Sequence, residues 1–268
     1  MKFTAAAIQM LASDDKAANL AEAARWIRES PAAGAKLVAL PEVFIWRGDK
    51  KNERAAAESI PGSASTRMAE LARELDIYLL AGSILEEIPG SAKAFNTSLL
   101  FDPSGKLVAT YRKIHLFDVD LANKVSARES DTRAAGETVV IAETELCKMG
   151  LSVCYDLRFA ELYRELARRH ADLIFVPSAF TAYTGEAHWE PLLRARAIEN
   201  QVYVIAPNQF GKNPQSFETY GHSMIVDPWG KIGAVLPDGP GFVLGDIDLD
   251  YLSRVRRELP CLAHRRLS

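Results

Sequence analysis

The chain has 268 residues, 48% hydrophobic and 25% charged, with a formal net charge of −3. That is the composition of an ordinary soluble globular protein, and without a basic surplus it argues against nucleic acid or an anionic membrane as partner. Three cysteines make no disulfide framework and suit a reducing cytoplasm; no signal-peptide pattern opens the chain, and no apolar run reaches membrane-spanning length.

Taken in order, residues 3–10 predict a buried strand and residues 19–28 an amphipathic helix, with Leu20, Ala23, Ala24 and Ile27 on one face. Residues 37–40 predict a second buried strand, closed by Pro41. A polar loop over 48–53 follows. After Pro61-Gly62, residues 65–75 predict a helix carrying Met68, Leu71 and Leu75. Residues 77–81 and 96–101 predict strands, and the turn Asp102-Pro-Ser-Gly105 returns the chain along 106–111 as a hairpin. Residues 121–137 read as loop.

The second half repeats this order. A short apolar strand over 151–153 leads to Cys154 and Tyr155, and a helical pattern follows with Leu157, Leu162 and Leu166, its helix matched to 161–170. Leu173-Ile-Phe-Val-Pro-Ser178 echoes Leu37-Val-Ala-Leu-Pro-Glu42. Val202-Tyr-Val-Ile-Ala206 echoes Ile77-Tyr-Leu-Leu-Ala81, and Ser223-Met-Ile-Val-Asp-Pro-Trp-Gly-Lys231 echoes Ser98-Leu-Leu-Phe-Asp-Pro-Ser-Gly-Lys106. Three echoes in one order predict a duplicated half, at about 1–120 and 146–245, within a single domain over 1–268. Two such halves bury their sheet faces against each other and cover the outside with helices, an α/β four-layer αββα sandwich. The tail over 246–268, with a helix at 251–258 and the basic pair Arg265-Arg266, reads as an interaction arm.

Cys154 stands where a predicted strand meets a predicted helix. A turn there exposes the sulfur, and helix-start N–H groups favour thiolate and hold a nascent oxyanion. The alternative is a cysteine that only fills core space. Glu42 follows the matched proline, where Ser178 stands in the second half; a carboxylate just past a buried strand is costly to desolvate unless it is used or capped locally. Lys113 lies in Tyr111-Arg-Lys-Ile-His-Leu-Phe-Asp118 after the hairpin, and the second half has no lysine at the counterpart position. All three residues follow predicted strand ends, where the side chains of an α/β sheet converge. Chemically they fit together: cysteine as nucleophile, glutamate as base, lysine as charge near the oxyanion. Arg158, one helical turn beyond Cys154, either binds a substrate carboxylate or, the preferred reading, pairs with a neighbouring acid. His188 and His222 lack metal-ligand spacing, Trp189 and Trp229 read as packing, and Cys147 and Cys261 have no catalytic context. With no glycine-rich phosphate loop either, neither a metal nor a nucleotide cofactor is expected.

On Leu40-Pro-Glu42, Tyr111-Arg-Lys113-Ile-His-Leu-Phe-Asp118 and Val153-Cys154-Tyr-Asp-Leu-Arg158-Phe, the chain resembles the carbon–nitrogen hydrolases of the nitrilase superfamily along essentially its full length. The resemblance implies an αββα sandwich and a catalytic set of Glu42, Lys113 and Cys154. A further family glutamate matches Glu129, implying that it orients the lysine or the substrate. Four segments, Pro177 to Phe180, Thr184 to Trp189, Leu193 to Glu199 and Tyr220 to Gly230, are similar to the deaminated-glutathione amidases of the Nit branch. The sibling ω-amidases usually have glycine where Ser178 stands. Glu186, where the branch commonly has proline, and residues 121–127 depart from the pattern near the expected pocket rim.

The expected enzyme is therefore a cofactor-independent amidase on a small carboxylate-bearing amide, deaminated glutathione first. α-Ketoglutaramate and α-ketosuccinamate are the alternatives, and a nitrilase, an N-carbamoyl amidohydrolase or a scaffold on a hydrolase fold are the rival readings. Expected substrate contacts are Tyr155 through its backbone N–H, Arg158, Ser178, Phe180, Thr184 and His188, with a loop over 181–188 and Arg194 as rim anchors. The resemblance and the arginine-bearing tail imply a homodimer or higher even oligomer.

Overall fold

The computed structural model describes residues 1–121 and 125–267. Two sheets form its centre. The first has the order Gly241–Asp248, Lys2–Gln9, Leu37–Ala39, Tyr78–Leu80, Ala94–Phe101, Ile84–Glu87, and Leu107–Arg112 and Arg133–Ala134 also pair with Ala94–Phe101. The second has the order Ile141–Glu143, Lys148–Leu151, Leu173–Phe175, Tyr203–Ala206, Ser223–Val226, Ile232–Leu236. Each sheet centres on three parallel strands, Lys2–Gln9 with Leu37–Ala39 and Tyr78–Leu80 in one, Lys148–Leu151 with Leu173–Phe175 and Tyr203–Ala206 in the other. Six α-helices accompany them among the described residues: α1 Lys16–Ala32, α2 Glu53–Ala56, α3 Ser63–Leu75, α4 Ala160–Arg168, α5 Ala182–Asn200 and α6 Leu249–Glu258.

The alternation of side chains along each strand makes the layers. Ala5, Ala7, Leu37, Ala39 and Leu80 share a buried cluster with Met149, Leu151, Leu173 and Phe175 of the opposite sheet. Their sequence neighbours Ala6, Ile8, Val38, Leu40 and Leu79 instead cluster with Ala23 and Ile27 of α1 and Met68 and Leu71 of α3. Successive residues of a strand face opposite sides, so one set lies between the sheets and the other under the helices. Beyond the second sheet, the core continues to Leu162 and Leu166 of α4 and Leu193 and Ala197 of α5. The result is the four-layer αββα sandwich expected from the sequence.

Several local expectations are corrected. The tail is not an arm up to residue 258: Gly241–Asp248 pairs antiparallel with Lys2–Gln9 along its whole length, and Ile247, Leu252 and Val255 are buried. Residues 121–137 are not all loop, because Asp118–Leu121 pairs with Val125–Arg128 and Arg133–Ala134 joins the first sheet. Of the departing stretch 121–127, residues 122–124 lie outside the described residues. The expected loop over 181–188 is instead the opening of α5, where Thr181 caps the helix by accepting the Thr184 N–H. Trp229 is exposed, whereas Trp189 is buried and donates to the His222 carbonyl at 2.8 Å.

Candidate active site

The first sheet delivers Glu42 and Lys113. After Leu37–Ala39 the chain turns at Pro41, and Val43 takes a left-handed conformation, φ 46°, held by a 2.9 Å bond from its N–H to Ser83 Oγ. Such a conformation is strained for a β-branched residue, and it sits beside the site it serves to shape. Gly82 makes the turn possible, since a Cβ there would lie 1.9 Å from the Pro41 carbonyl oxygen. Lys113 directly follows Leu107–Arg112, its N–H donating to the Asn96 carbonyl at 2.9 Å.

The second sheet delivers Cys154 differently from expectation. The Lys148–Leu151 strand ends early, and Cys154, at φ 49°, opens a short 3-10 turn over Cys154–Arg158; Phe159 is extended and α4 starts only at Ala160. Leu157 belongs to that turn, so no α-helix begins at the cysteine. Asp156 braces the turn. Its fully buried carboxylate accepts from the Val153 N–H at 2.8 Å, Tyr111 OH at 2.7 Å and the His115 N–H at 3.0 Å. Cys154 itself donates its N–H to the Pro177 carbonyl at 2.9 Å.

Glu42, Lys113, Cys154 and Glu129 line one cavity of about 690 Å³, within the usual range for small-molecule sites. Lys113 Nζ donates to Glu42 Oε1 at 3.0 Å and Glu129 Oε2 at 2.8 Å, and the lysine is 2% exposed. Burial alone would push its pKa down, but Glu129 and Glu42 outweigh that and hold it up, so it stays charged. Glu129 also accepts from the Phe117 N–H at 2.6 Å and from Arg133 Nη1. Burial opposes its charge, but Lys113 and Arg133 prevail and hold it down at about 2. The free oxygen of Glu42, Oε2, accepts the Ala179 N–H at 2.8 Å. Cys154 runs against the expected thiolate: burial, then the Glu42 carboxylate, push the thiol well above its ordinary value, and Lys113 only partly offsets them. A thiol held protonated next to a carboxylate needs that carboxylate to remove its proton during attack.

Known proteins resemble the chain along nearly its whole length. The carbon-nitrogen hydrolase family profile matches residues 4–257. The chain is a carbon–nitrogen hydrolase. Among its relatives, omega-amidase NIT2 of Xenopus tropicalis is 42% identical over 99% of this chain and 95% of its own length. Deaminated glutathione amidase of Synechocystis sp. (strain PCC 6803 / GT-S) is also 42% identical, over 98% of each chain. The crystal structure of the C. elegans NitFhit protein superposes with a TM-score of 0.93 at 38% identity, covering 99% of this chain; the chain spans 65% of that protein's length.

The remaining expected contacts divide. In this carbon–nitrogen hydrolase Tyr155, Arg158, Phe180 and Thr184 line the cavity. Ser178 does not: it is fully buried and its hydroxyl is turned to the Val176 carbonyl at 3.0 Å. His188 is exposed on α5 and meets the cavity only through Arg158, Nδ1 lying 3.2 Å from Nη1. Among the described residues that imidazole, and not an acid, is the partner of Arg158, whose guanidinium sits 5.0 Å from the Phe180 ring centroid. Arg194 is committed to Glu190 at 3.2 Å and the Gly230 carbonyl at 2.8 Å and does not line the cavity, and Glu186 is exposed outside it. His222 is occupied with the Tyr220 carbonyl at 2.8 Å.

Three residues of the site have no role in the sequence reading. Asn96 Nδ2 lies 2.8 Å from Glu42 Oε1 and 3.3 Å from Glu129 Oε1, so it bridges both carboxylates; the reverse amide orientation would turn its oxygen on two anions. Arg133 joins Glu129 to Glu53 of α2, its Nη2 lying 2.6 Å from Glu53 Oε1. Arg47 is a buried cation on the same wall. An asparagine opening an apolar strand and an arginine closing Phe44-Ile-Trp-Arg47 are the signals that could have marked two of them.

Proposed function

We propose that this hydrolase is a cofactor-independent amidase that releases ammonia from a small carboxylate-bearing amide through a cysteine thioester. The observation that carries the reading is the buried Glu42–Lys113–Glu129 ion cluster beside the protonated Cys154 thiol. Glu42 takes the thiol proton as Cys154 Sγ attacks the amide carbon. Lys113 and the Tyr155 backbone N–H stabilise the tetrahedral oxyanion. Glu42 returns the proton to the leaving nitrogen, ammonia departs, and the acyl group remains on Sγ. Glu42 then takes a proton from water, whose oxygen attacks the thioester; the acid leaves and Sγ recovers its proton. Glu129 and Asn96 hold Lys113 and Glu42 in place, so they are positioning residues. Three free cysteines, the nucleophile among them, suit a reducing compartment such as the cytoplasm.

Deaminated glutathione is the proposed substrate. Ser178, where the ω-amidases usually have glycine, does not line the cavity, so the preference rests on length: a cavity of about 690 Å³ leaves room for a substrate longer than α-ketoglutaramate. The expected result is a kcat/KM for deaminated glutathione at least about tenfold above that for α-ketoglutaramate, corresponding to about 1.4 kcal/mol of differential transition-state binding. Steady-state kinetics on both, within a panel that adds nitriles and N-carbamoyl amino acids, checks it. Equal or higher efficiency on α-ketoglutaramate makes the enzyme an ω-amidase, and turnover of only the nitriles or carbamoyl compounds rejects the amidase reading.

The proposed assembly is a homodimer or higher even oligomer. Trp229 and Ile198 are 59% and 47% exposed, and Gly230, which follows Trp229, lies against Ile198, where an added Cβ would be 2.5 Å from its side chain. Sedimentation should give at least a dimer; a fully active monomer at assay concentration would count against it.

A further inference from the structure

One cation on the cavity wall is used by none of the steps above. Arg47 is 6% exposed and lines the same cavity as Glu42, Lys113 and Cys154. Its Nη2 donates to Ser216 Oγ at 3.2 Å and to the Phe217 carbonyl at 3.0 Å, and the guanidinium carbon lies 5.2 Å from the Phe217 ring centroid. Asn213, three residues before Ser216, ties that segment to the backbone of Arg47, its Nδ2 donating at 2.9 Å to the Arg47 carbonyl and at 2.9 Å to the Ala12 carbonyl. The guanidinium is thus fixed by one edge. Nη1 is buried and has no acceptor among the described residues.

No carboxylate among the described residues pairs with Arg47, and burial lowers its pKa to about 10. The nearby acids are already committed. Glu42 serves Lys113, Asn96 and the Ala179 N–H; Glu129 serves Lys113 and Arg133; Glu53 serves Arg133; Asp131 serves Lys50. The Glu42 carboxylate offsets part of that lowering but forms no ion pair with Arg47; a buried cation without a paired counter-ion is costly, and an unmade hydrogen bond adds to the cost. An arginine in that state, fixed and facing a ligand-sized cavity, is complete only when an anion arrives from outside.

We propose that Arg47 is the specificity-determining anchor for a substrate carboxylate remote from the scissile amide, received by its guanidinium on the cavity wall. The assignment rests on the amidase reading and adds to it the class of group that must lie at the far end of the substrate. Carboxylate is favoured because a planar guanidinium with one edge already fixed offers in-plane donors that suit a planar, singly charged acceptor. Anchoring at that end aligns the amide with Cys154, so its loss is felt in kcat as well as KM.

The test compares glutaramate, which carries a remote carboxylate, with hexanamide, its uncharged counterpart of similar length. The wild-type enzyme should favour glutaramate, and Arg47→Gln should lower the ratio of the two kcat/KM values by at least about 30-fold, the scale of a lost hydrogen bond to a charged group. Arg47→Lys should recover part of that ratio, because it restores charge without the planar fork. A ratio within threefold of wild type in Arg47→Gln, including a parallel fall on both substrates, overturns the anchor. If Arg47→Gln does not fold, product inhibition of the wild type decides: glutarate should inhibit at least tenfold more tightly than hexanoate, and equal inhibition overturns the proposal. Wild-type enzyme that releases ammonia from no amide rejects the amidase reading itself, whereas equal turnover of glutaramate and hexanamide rejects only the anchor.

Discussion

Cys154→Ala should abolish turnover, lowering kcat by on the order of 10⁴ to 10⁶-fold, the scale seen when a nucleophile is removed. The fold should survive. Alanine changes little volume at a residue whose backbone is fixed by the Pro177 carbonyl and by the Asp156 brace, not by the sulfur. Circular dichroism and thermal melting should therefore match wild type while ammonia release disappears. Cys147→Ala and Cys261→Ala should remain active, since one is buried with its thiol pushed up by burial and the other is exposed in the tail. Intact-mass spectrometry of wild-type enzyme quenched during turnover should find an acyl adduct on Cys154. Normal turnover in Cys154→Ala would sink the thioester route.

Lys113→Met should damage catalysis and stability together. Losing an oxyanion donor costs on the order of 10² to 10³-fold in rate, and the loss should appear in kcat. The same change strips two buried carboxylates, Glu42 and Glu129, of a shared counter-ion. Breaking one side of a buried ion cluster destabilises by about 3–5 kcal/mol, because the charges left behind stay desolvated. Asn96 and Arg133 still contact them and should keep the loss from exceeding that range. Chemical denaturation and single-turnover kinetics measure the two effects separately. A variant with raised KM, near-normal kcat and wild-type stability would show that Lys113 only binds substrate.

The residues that were legible in the sequence share a cause. Glu42, Lys113 and Cys154 each follow a strand whose apolar pattern is local, and the two halves echo each other, so the differences between them stand out. What stayed hidden depends on distant partners. Arg47 is fixed by Ser216 and Phe217, and Asn96 gains its role only by lying between Glu42 and Glu129. No local window contains both sides of such a contact. The 3-10 turn was missed because Leu157, Leu162 and Leu166 share a helical spacing that the extended Phe159 interrupts. Likewise 246–248 read as the start of a tail because their strand partner is the other end of the chain.

That last pairing bears on how the molecule is made. Lys2–Gln9 gains its outer neighbour, Gly241–Asp248, only after more than 230 further residues have been made. Until then its Ala5-Ala-Ala-Ile8 edge offers open backbone donors and acceptors to any other nascent strand. Domains tend to fold as units during synthesis, at roughly 5–20 residues per second. This one has that seam sealed only once residues 241–248 are made, so slowed elongation ahead of them prolongs the interval in which the growing chain can join its neighbours on a polysome.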